Sequence, residues 1–303
     1  MSGVLVLDKP KNITSAKAVA IVKRRLKAKK AGHAGTLDPM ATGVLPILLG
    51  QGTKLARFFI ELEKGYRFTI RLGISTDTGD ADGNVLEESD CSNVRIEDVE
   101  KAVGSMKGTI DQVPPMFSAL KKNGVRLYKL ARQGKEVERE ARKVTIYRLD
   151  ISDFSLPFVT LEMECSKGTY AREVAAELGR KLGCGAHTVE LRRTYSGPFK
   201  ETQAVELDDL DAECTDILDL VQATSHLPTI NLDKNLAKRV RNGYHPNILE
   251  IRDLIAQEIE KNEYCRLLDH NGDLAAVAKA MEDLKPGSPK LVAEPVKLLR
   301  VFS

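Results

Sequence analysis

The chain lacks any apolar run of about 18 residues, the length a bilayer-crossing helix needs, so no membrane span is expected. Its start, Met1 to Lys9, holds a short apolar run followed by Asp8. It lacks the charged opening and long apolar stretch of a secretory leader, and reads as a buried first strand. The five cysteines (Cys91, Cys165, Cys184, Cys214, Cys265) are odd in number and scattered, with no C-x-x-C pair. That pattern argues against a disulfide framework and fits a reducing cytoplasm. Cys184 and His187 have C-x-x-H spacing but no second half-site, so the pair reads as a turn after a helix and no zinc is predicted. Gly50-Gln51-Gly52-Thr53-Lys54 lacks the G-K-[ST] order of a phosphate loop. In Thr76-Asp77-Thr78-Gly79-Asp80-Ala81-Asp82-Gly83, setting Gly83 at position six of a calcium loop puts Thr78 first and Ser89 last. Both ligand positions fail, and the stretch reads as a polar turn. Neither metal nor cofactor is expected.

Net charge is also small, at +3 over 303 residues, but it is unevenly placed. Residues 1–57 carry eleven Lys and Arg against two acids, Asp8 and Asp38, which leaves the remainder of the chain acidic. A solvated basic helix would show acids at i+4 spacing, and none lies between Asp8 and Asp38. A basic lobe on an otherwise acidic protein is the footprint of a phosphate backbone.

Length predicts about two domains at roughly 150 residues each, and a boundary falls near His226-Leu227-Pro228. Before it, strands are expected at Val4–Leu7, Val44–Gly50, Tyr66–Leu72, Lys143–Ile151, Phe158–Cys165 and Leu191–Thr194. Helices are expected at Ala16–Lys29 with Ser15 as cap, at Val94–Met106 capped by Ser92 or Asn93, at Thr169–Leu182 and at Leu207–Gln222. Ser118–Arg142 is rich in Lys and Arg around Tyr128, a composition suited to clamping RNA. After the boundary come a short helix, Asp233–Asn242, and small strands up to Val296–Val301, with charge nearly balanced.

The most informative stretch is Gly32-His33-Ala34-Gly35-Thr36-Leu37-Asp38-Pro39-Met40-Ala41-Thr42-Gly43. An Asp-Pro pair is a common turn, but here three glycines permit close approach of another backbone. No second acid stands nearby to form a glycosidase-type pair, so Asp38 would act alone, as nucleophile or ion-pair stabiliser. A carboxylate in a polyanion's pocket needs a cation to stay ionised.

This stretch resembles the signature loop of the TruB family of pseudouridine synthases, G-H-x-G-x-L-D-P-x-A-T-G, with every fixed position present. Ser166-Lys167-Gly168-Thr169-Tyr170-Ala171-Arg172 is similar to that family's S-K-G-T-Y-x-R motif, Lys64-Gly65-Tyr66 to its K-x-Y motif, and the 76–83 string to one found in bacterial members. The resemblance covers residues 1 to about 210. It implies catalytic roles for Asp38, for Arg172 as its ion-pair partner, and for Tyr66, which stacks on the target base and is a candidate for the C5 proton transfer. It also implies that Tyr170 and Leu191 wall the pocket and that His33 sits against the displaced base stack.

The implied fold is α+β: a mixed, mainly antiparallel central sheet with flanking helices over residues 1–227, with an RNA-clamping insertion at about 76–142. A small β-barrel resembling PUA-type RNA-binding domains would follow over 228–303. The implied reaction is cofactor-free isomerisation of uridine to pseudouridine at position 55, in the T arm of tRNA, with the base flipped out of its stack. No obligatory protein partner and a cytoplasmic location are expected. Two alternatives are a guide-RNA-dependent synthase subunit and an RNA-binding or folding module without essential catalysis. Attack by Asp38 at C1′, addition at C6 and assisted elimination all stay open.

Overall fold

A strand with an unbroken apolar run needs cover on both faces, and the chain begins with one, Val4 to Leu7. The computed structural model describes residues 1–118, 120–122, 124–211, 216–286 and 294–302. It opens with β1 (Gly3–Lys9), α1 (Ser15–Arg25), β2 (Ala31–His33), β3 (Thr42–Leu49) and α2 (Ala56–Ile60). Next come β4 (Lys64–Leu72), the hairpin of β5 (Ile74–Thr76) and β6 (Val85–Glu88), α3 (Ile96–Gly104) and β7 (Gly108–Gln112). A second hairpin, β8 (Lys121–Lys122) and β9 (Val125–Arg126), runs into α4 (Leu127–Ala131). The N-terminal part closes with β10 (Arg142–Ser155), β11 (Phe158–Cys165), α5 (Ala171–Leu182), β12 (Ala186–Ser196), β13 (Phe199–Lys200), β14 (Val205–Glu206), β15 (Ile217–Leu218) and α6 (Leu220–Ala223). The C-terminal part holds β16 (Thr229–Asn231), α7 (Lys234–Arg241), α8 (Ile248–Ile251), β17 (Tyr264–Leu268), β18 (Leu274–Ala280) and β19 (Val296–Val301).

The main sheet runs β14-β1-β3-β12-β4-β11-β10-β7, with β2 beside β3, β13 beside β12 and β15 beside β1. Its pairings are antiparallel except β1 with β14 and β3 with β12. In β1, Leu5 and Leu7 join one core while Val4 and Val6 join another on the opposite face; β3 divides in the same way. β4 alternates instead. Phe68, Ile70 and Leu72 are buried, whereas Arg67 and Arg71 are exposed, as expected where one face meets solvent. Helices α1, α3 and α5 cover the larger core.

The C-terminal strands form a separate sheet, β16-β17-β18-β19. A small barrel was the expectation; among the described residues β16 and β19 are the two edges of this sheet and do not pair with each other. Residues 230–296 build their own core, while Leu268, Leu274, Val277 and Phe302 share a cluster with Phe58, Phe59 and Phe199 of the N-terminal part. No helix among the described residues is long and apolar enough to cross a membrane. Cys91, Cys165, Cys184 and Cys265 are free, and Cys214 lies outside the described residues.

Several expected elements are corrected. The first helix stops at Arg25, because Lys27 turns into the left-handed region at φ 50°. Its cap is Thr14, whose hydroxyl accepts from the Lys17 amide, and not Ser15. The helix expected from Val94 begins at Ile96, where the Asp98 carboxylate accepts from the Arg95 amide; Ser92 bonds Asp90 instead. Over 207–222 no long helix forms. Leu207 and Leu210 bury themselves through a turn, the short strand β15 follows, and only Leu220–Ala223 is helical; residues 212–215 of that expectation lie outside the described residues.

Candidate active site

The loop between β2 and β3 carries Asp38 and is tied down on both flanks. Ser15 Oγ donates to the Leu37 carbonyl at 2.9 Å and accepts from the Leu37 amide at 2.8 Å, so the start of α1 grips the residue before Asp38. The Pro39 carbonyl accepts from the Asn12 amide and from Lys9 Nζ. Lys9 is fully buried and also donates to the carbonyls of Pro10 and Ile13; desolvation pulls its pKa down to about 8. At the loop's end Gly43 has φ 94°, and a Cβ there would meet the Arg193 carbonyl oxygen at 2.3 Å. That glycine lets β3 approach β12, which it joins at two positions only, Thr42 with Arg192 and Gly43 with Arg193.

Asp38 pairs with Arg172 at 2.9 Å. The arginine, in the first turn of α5, has a side chain 3% exposed, whereas that of Asp38 is 29% exposed, so the carboxylate reaches open space while its cation is sealed behind it. Arg172 also donates to the carbonyls of Thr78 at 2.7 Å and Phe117 at 2.8 Å, and pairs with Asp80 at 3.2 Å. Asp80 accepts from the Thr78 hydroxyl and the Asp82 amide. The sequence reading of Asp38 as a lone acid is corrected here: a second, largely sealed carboxylate shares its arginine. The signal for Asp80 lay in the Thr76–Gly83 string, which looked like an ordinary polar turn.

Asp38 borders two cavities. The first, of about 490 Å³, is walled by Tyr66, Tyr170, Leu191, Lys64 and Arg193 together with Asp38 and Arg172. Tyr66 stands on β4 directly opposite Arg193 on β12, and Leu191 opposite Phe68. Burial pushes the Tyr66 hydroxyl pKa upward, and the Arg193 guanidinium beside it pulls the other way. Tyr170 is held by its backbone, because the Gln112 side chain both accepts from its amide and donates to its carbonyl. Burial raises the Tyr170 hydroxyl as well.

Of the six residues expected at the site, His33 is the one not on this cavity. It lines the second, of about 750 Å³, with Asp38, Asp80, Arg126 and Tyr128. Its Nδ1 is buried with no hydrogen-bond partner among the described residues, and burial lowers its pKa, keeping the ring neutral at pH 7. Lys121 and Arg132 of the basic segment also line this second cavity. Among the described residues no three His, Cys, Asp or Glu side chains gather in a group that could hold a metal ion. The arrangement presents one carboxylate, backed by a sealed arginine, to a slot wide enough for a nucleobase and walled by two tyrosines and a leucine.

Comparison with known proteins agrees with this geometry. Residues 23–171 match the N-terminal domain model of the TruB family pseudouridylate synthases, and residues 172–224 match the tRNA pseudouridylate synthase B C-terminal domain. The chain is 43% identical over 309 residues to tRNA pseudouridine synthase B of Geobacter sulfurreducens, covering all of both chains. It is 42% identical to the protein of that name from Pseudomonas paraeruginosa, covering 96% of each. Among solved structures, a chain of a Cbf5-Nop10-Gar1 complex matches 99% of this chain and 85% of its own length, with a TM-score of 0.79 and 27% identity. With family models spanning residues 23–224 and full-length relatives above 40% identity, the chain belongs to the TruB family of pseudouridylate synthases.

Proposed function

We propose that the protein isomerises uridine to pseudouridine in tRNA, at position 55 of the T arm. The observation that carries this reading is the Asp38–Arg172 pair at the edge of a base-sized, tyrosine-walled cavity, in a chain whose full-length relatives are named tRNA pseudouridine synthase B. A base paired and stacked in an RNA arm cannot reach a carboxylate set in such a slot, so the uridine is flipped out. The N1–C1′ bond breaks, the uracil turns over, a C5–C1′ bond forms, the proton on C5 leaves and N1 takes up a proton. Asp38 is the catalytic carboxylate, as nucleophile or ion-pair stabiliser. Arg172 pairs with it and holds it in place, and Tyr66 stacks on the base and stands where the C5 proton departs. Tyr170 and Leu191 wall the base, and His33, on the neighbouring cavity, sits against the stack the base has left.

We read residues 1–227 as the synthase domain and 228–303 as a PUA-like RNA-binding domain. The insertion at about 76–142 is the clamp: its Lys121, Arg126 and Arg132 line the second cavity, where cations position phosphates. Cytoplasmic location fits the free cysteines. A guide-dependent assembly is the weaker reading, since the Cbf5 likeness stands at 27% identity against 43% for the single-name relatives.

The deciding experiment follows tritium released from tRNA labelled at C5 of uridine. Wild type is expected to release it. Asp38→Asn is expected to release none while binding tRNA within about threefold of wild type, because the substitution leaves every phosphate-binding cation in place. Full turnover by Asp38→Asn would remove Asp38 from the chemistry.

A further inference from the structure

The wall opposite Arg172 holds a second buried arginine, to which the chemistry above gives no task. Arg193 is 1% exposed and heads the fully buried side chains in size. Its Nε donates to the Val44 carbonyl at 2.7 Å, and its terminal nitrogens donate to the carbonyls of Gly35 at 3.1 Å and Thr36 at 3.4 Å. No carboxylate forms an ion pair with it among the described residues. A buried cation without a carboxylate is expensive, so its acceptors matter. Gly35 and Thr36 lie on the loop that carries Asp38, and Val44 is the third residue of β3, the strand that follows it.

Strand register puts the same arginine directly opposite Tyr66, and both line the cavity beside Asp38; burial pushes the Tyr66 hydroxyl pKa up, and the arginine's charge pulls it down. One planar fork is therefore bonded to the carboxylate loop while it stands in register with the aromatic wall. The neighbouring buried lysines do not do this. Lys9 grips carbonyls 10, 13 and 39, and Lys64 grips carbonyls 59, 60 and 62. Each holds one flank of the site.

We propose that Arg193 is a positioning residue for the isomerisation: it fixes the spacing between the Tyr66 phenol and the Asp38 loop, so that ring and carboxylate address one flipped uracil from two walls. This rests on the function proposed above. It requires a guanidinium in particular, because a lysine ammonium is a point donor on a flexible stem and cannot span these carbonyls in one plane.

The test is a double-mutant cycle in single turnover at saturating tRNA, on wild type, R193K, Y66F and R193K/Y66F. R193K is expected to react about 100-fold more slowly, the scale of a displacement near 1 Å at a reacting centre, with tRNA affinity within about threefold of wild type. The double variant is expected to be far less impaired than the product of the two single losses, since Arg193 acts partly through Tyr66. Losses that multiply, or an R193K defect confined to affinity, overturn the proposal. Thermal melts accompany each rate, and R193Q replaces R193K if the latter does not melt cooperatively. If neither folds, Arg193 serves stability alone and the inference falls. A wild type that releases no tritium sinks the proposed function and this inference with it; an active wild type with multiplying losses sinks only the inference.

Discussion

The two walls of the Asp38 cavity hold their buried cations in opposite ways. On the α5 side Arg172 meets two carboxylates, Asp38 and Asp80, besides two carbonyls. On the β12 side Arg193, with Lys64 and Lys9 on its flanks, meets backbone carbonyls, and none of the three has a carboxylate partner among the described residues. The first wall is an ion-paired network with one carboxylate in excess, and the second is net positive. An anionic substrate gains attraction from the second wall, while the first presents a carboxylate held in place by its buried arginine. The shared arginine keeps Asp80 whatever Asp38 engages, so its charge stays paired throughout the reaction.

The largest expected effect breaks the first wall. Arg172→Met leaves two carboxylates facing each other without a cation, and removing one member of a buried pair costs about 3 kcal/mol or more. Turnover should fall by at least about 1,000-fold, the scale of losing a charge-stabilising group in an active site. Denaturant melts and tritium release read the two effects, and a variant with wild-type stability would contradict the network description.

A smaller effect sharpens the contrast through pH. Burial lowers the pKa of Lys9 and of Lys64 to about 8, from an ordinary 10.5. The native chain thus gives up these protons near pH 8, and the unfolded chain holds them until about 10.5. Between those values the unfolded state binds more protons, so this pair's contribution to stability rises with pH, is complete above about 10.5 and is smallest below about 8. Compared at each pH, wild type should gain on Lys64→Met across that window by up to about 2 kcal/mol. A constant difference would mean that Lys64 titrates as a solvated amine.

The smallest effect probes the clamp beside the second cavity. Replacing Lys121, Arg126 or Arg132 by Gln should weaken tRNA binding and reduce the slope of log affinity against log salt by about 0.7 to 0.9 for each phosphate left without its cation. An unaltered slope in all three would mean that this segment neutralises no phosphate.

How much of this was legible in the sequence follows from where each signal lives. Asp38, Tyr66, Tyr170 and Arg172 were readable because each sits in a motif of several fixed residues, Leu191 was read only as an apolar wall, and the fold brings all five to one cavity. His33 read as a loop residue, but it is the last residue of β2, paired with Ile47, and it lines the neighbouring cavity. Asp80 hid in a string of Asp, Thr and Gly that suits any polar turn. Arg193 was visible only as part of a strand, because its loop acceptors are main-chain carbonyls, which carry no side-chain signature. The expected helix at 207–222 failed where apolar spacing at Leu207 and Leu210 met the demands of the sheet, with β14 and β15 adding to the edge at β1. The overlong first helix failed at Lys27, a position that no helix propensity marks as left-handed.

The two-residue junction of β3 and β12 at Thr42 and Gly43 has a consequence for how the gene encodes the site. Everything up to Ile60 folds into β1, α1, β2, β3 and α2 and brings the carboxylate. Everything from Lys64 onward brings its arginine, both tyrosines and the leucine. A chain divided between those residues would carry half of the reaction on each fragment, and neither fragment could turn over a uridine by itself. Restored turnover on mixing would then report fragment complementation across a seam that holds the β3–β12 junction, the pairing of β1 with β14 and β15, and the arginines that reach Asp8 and the Asp38 loop.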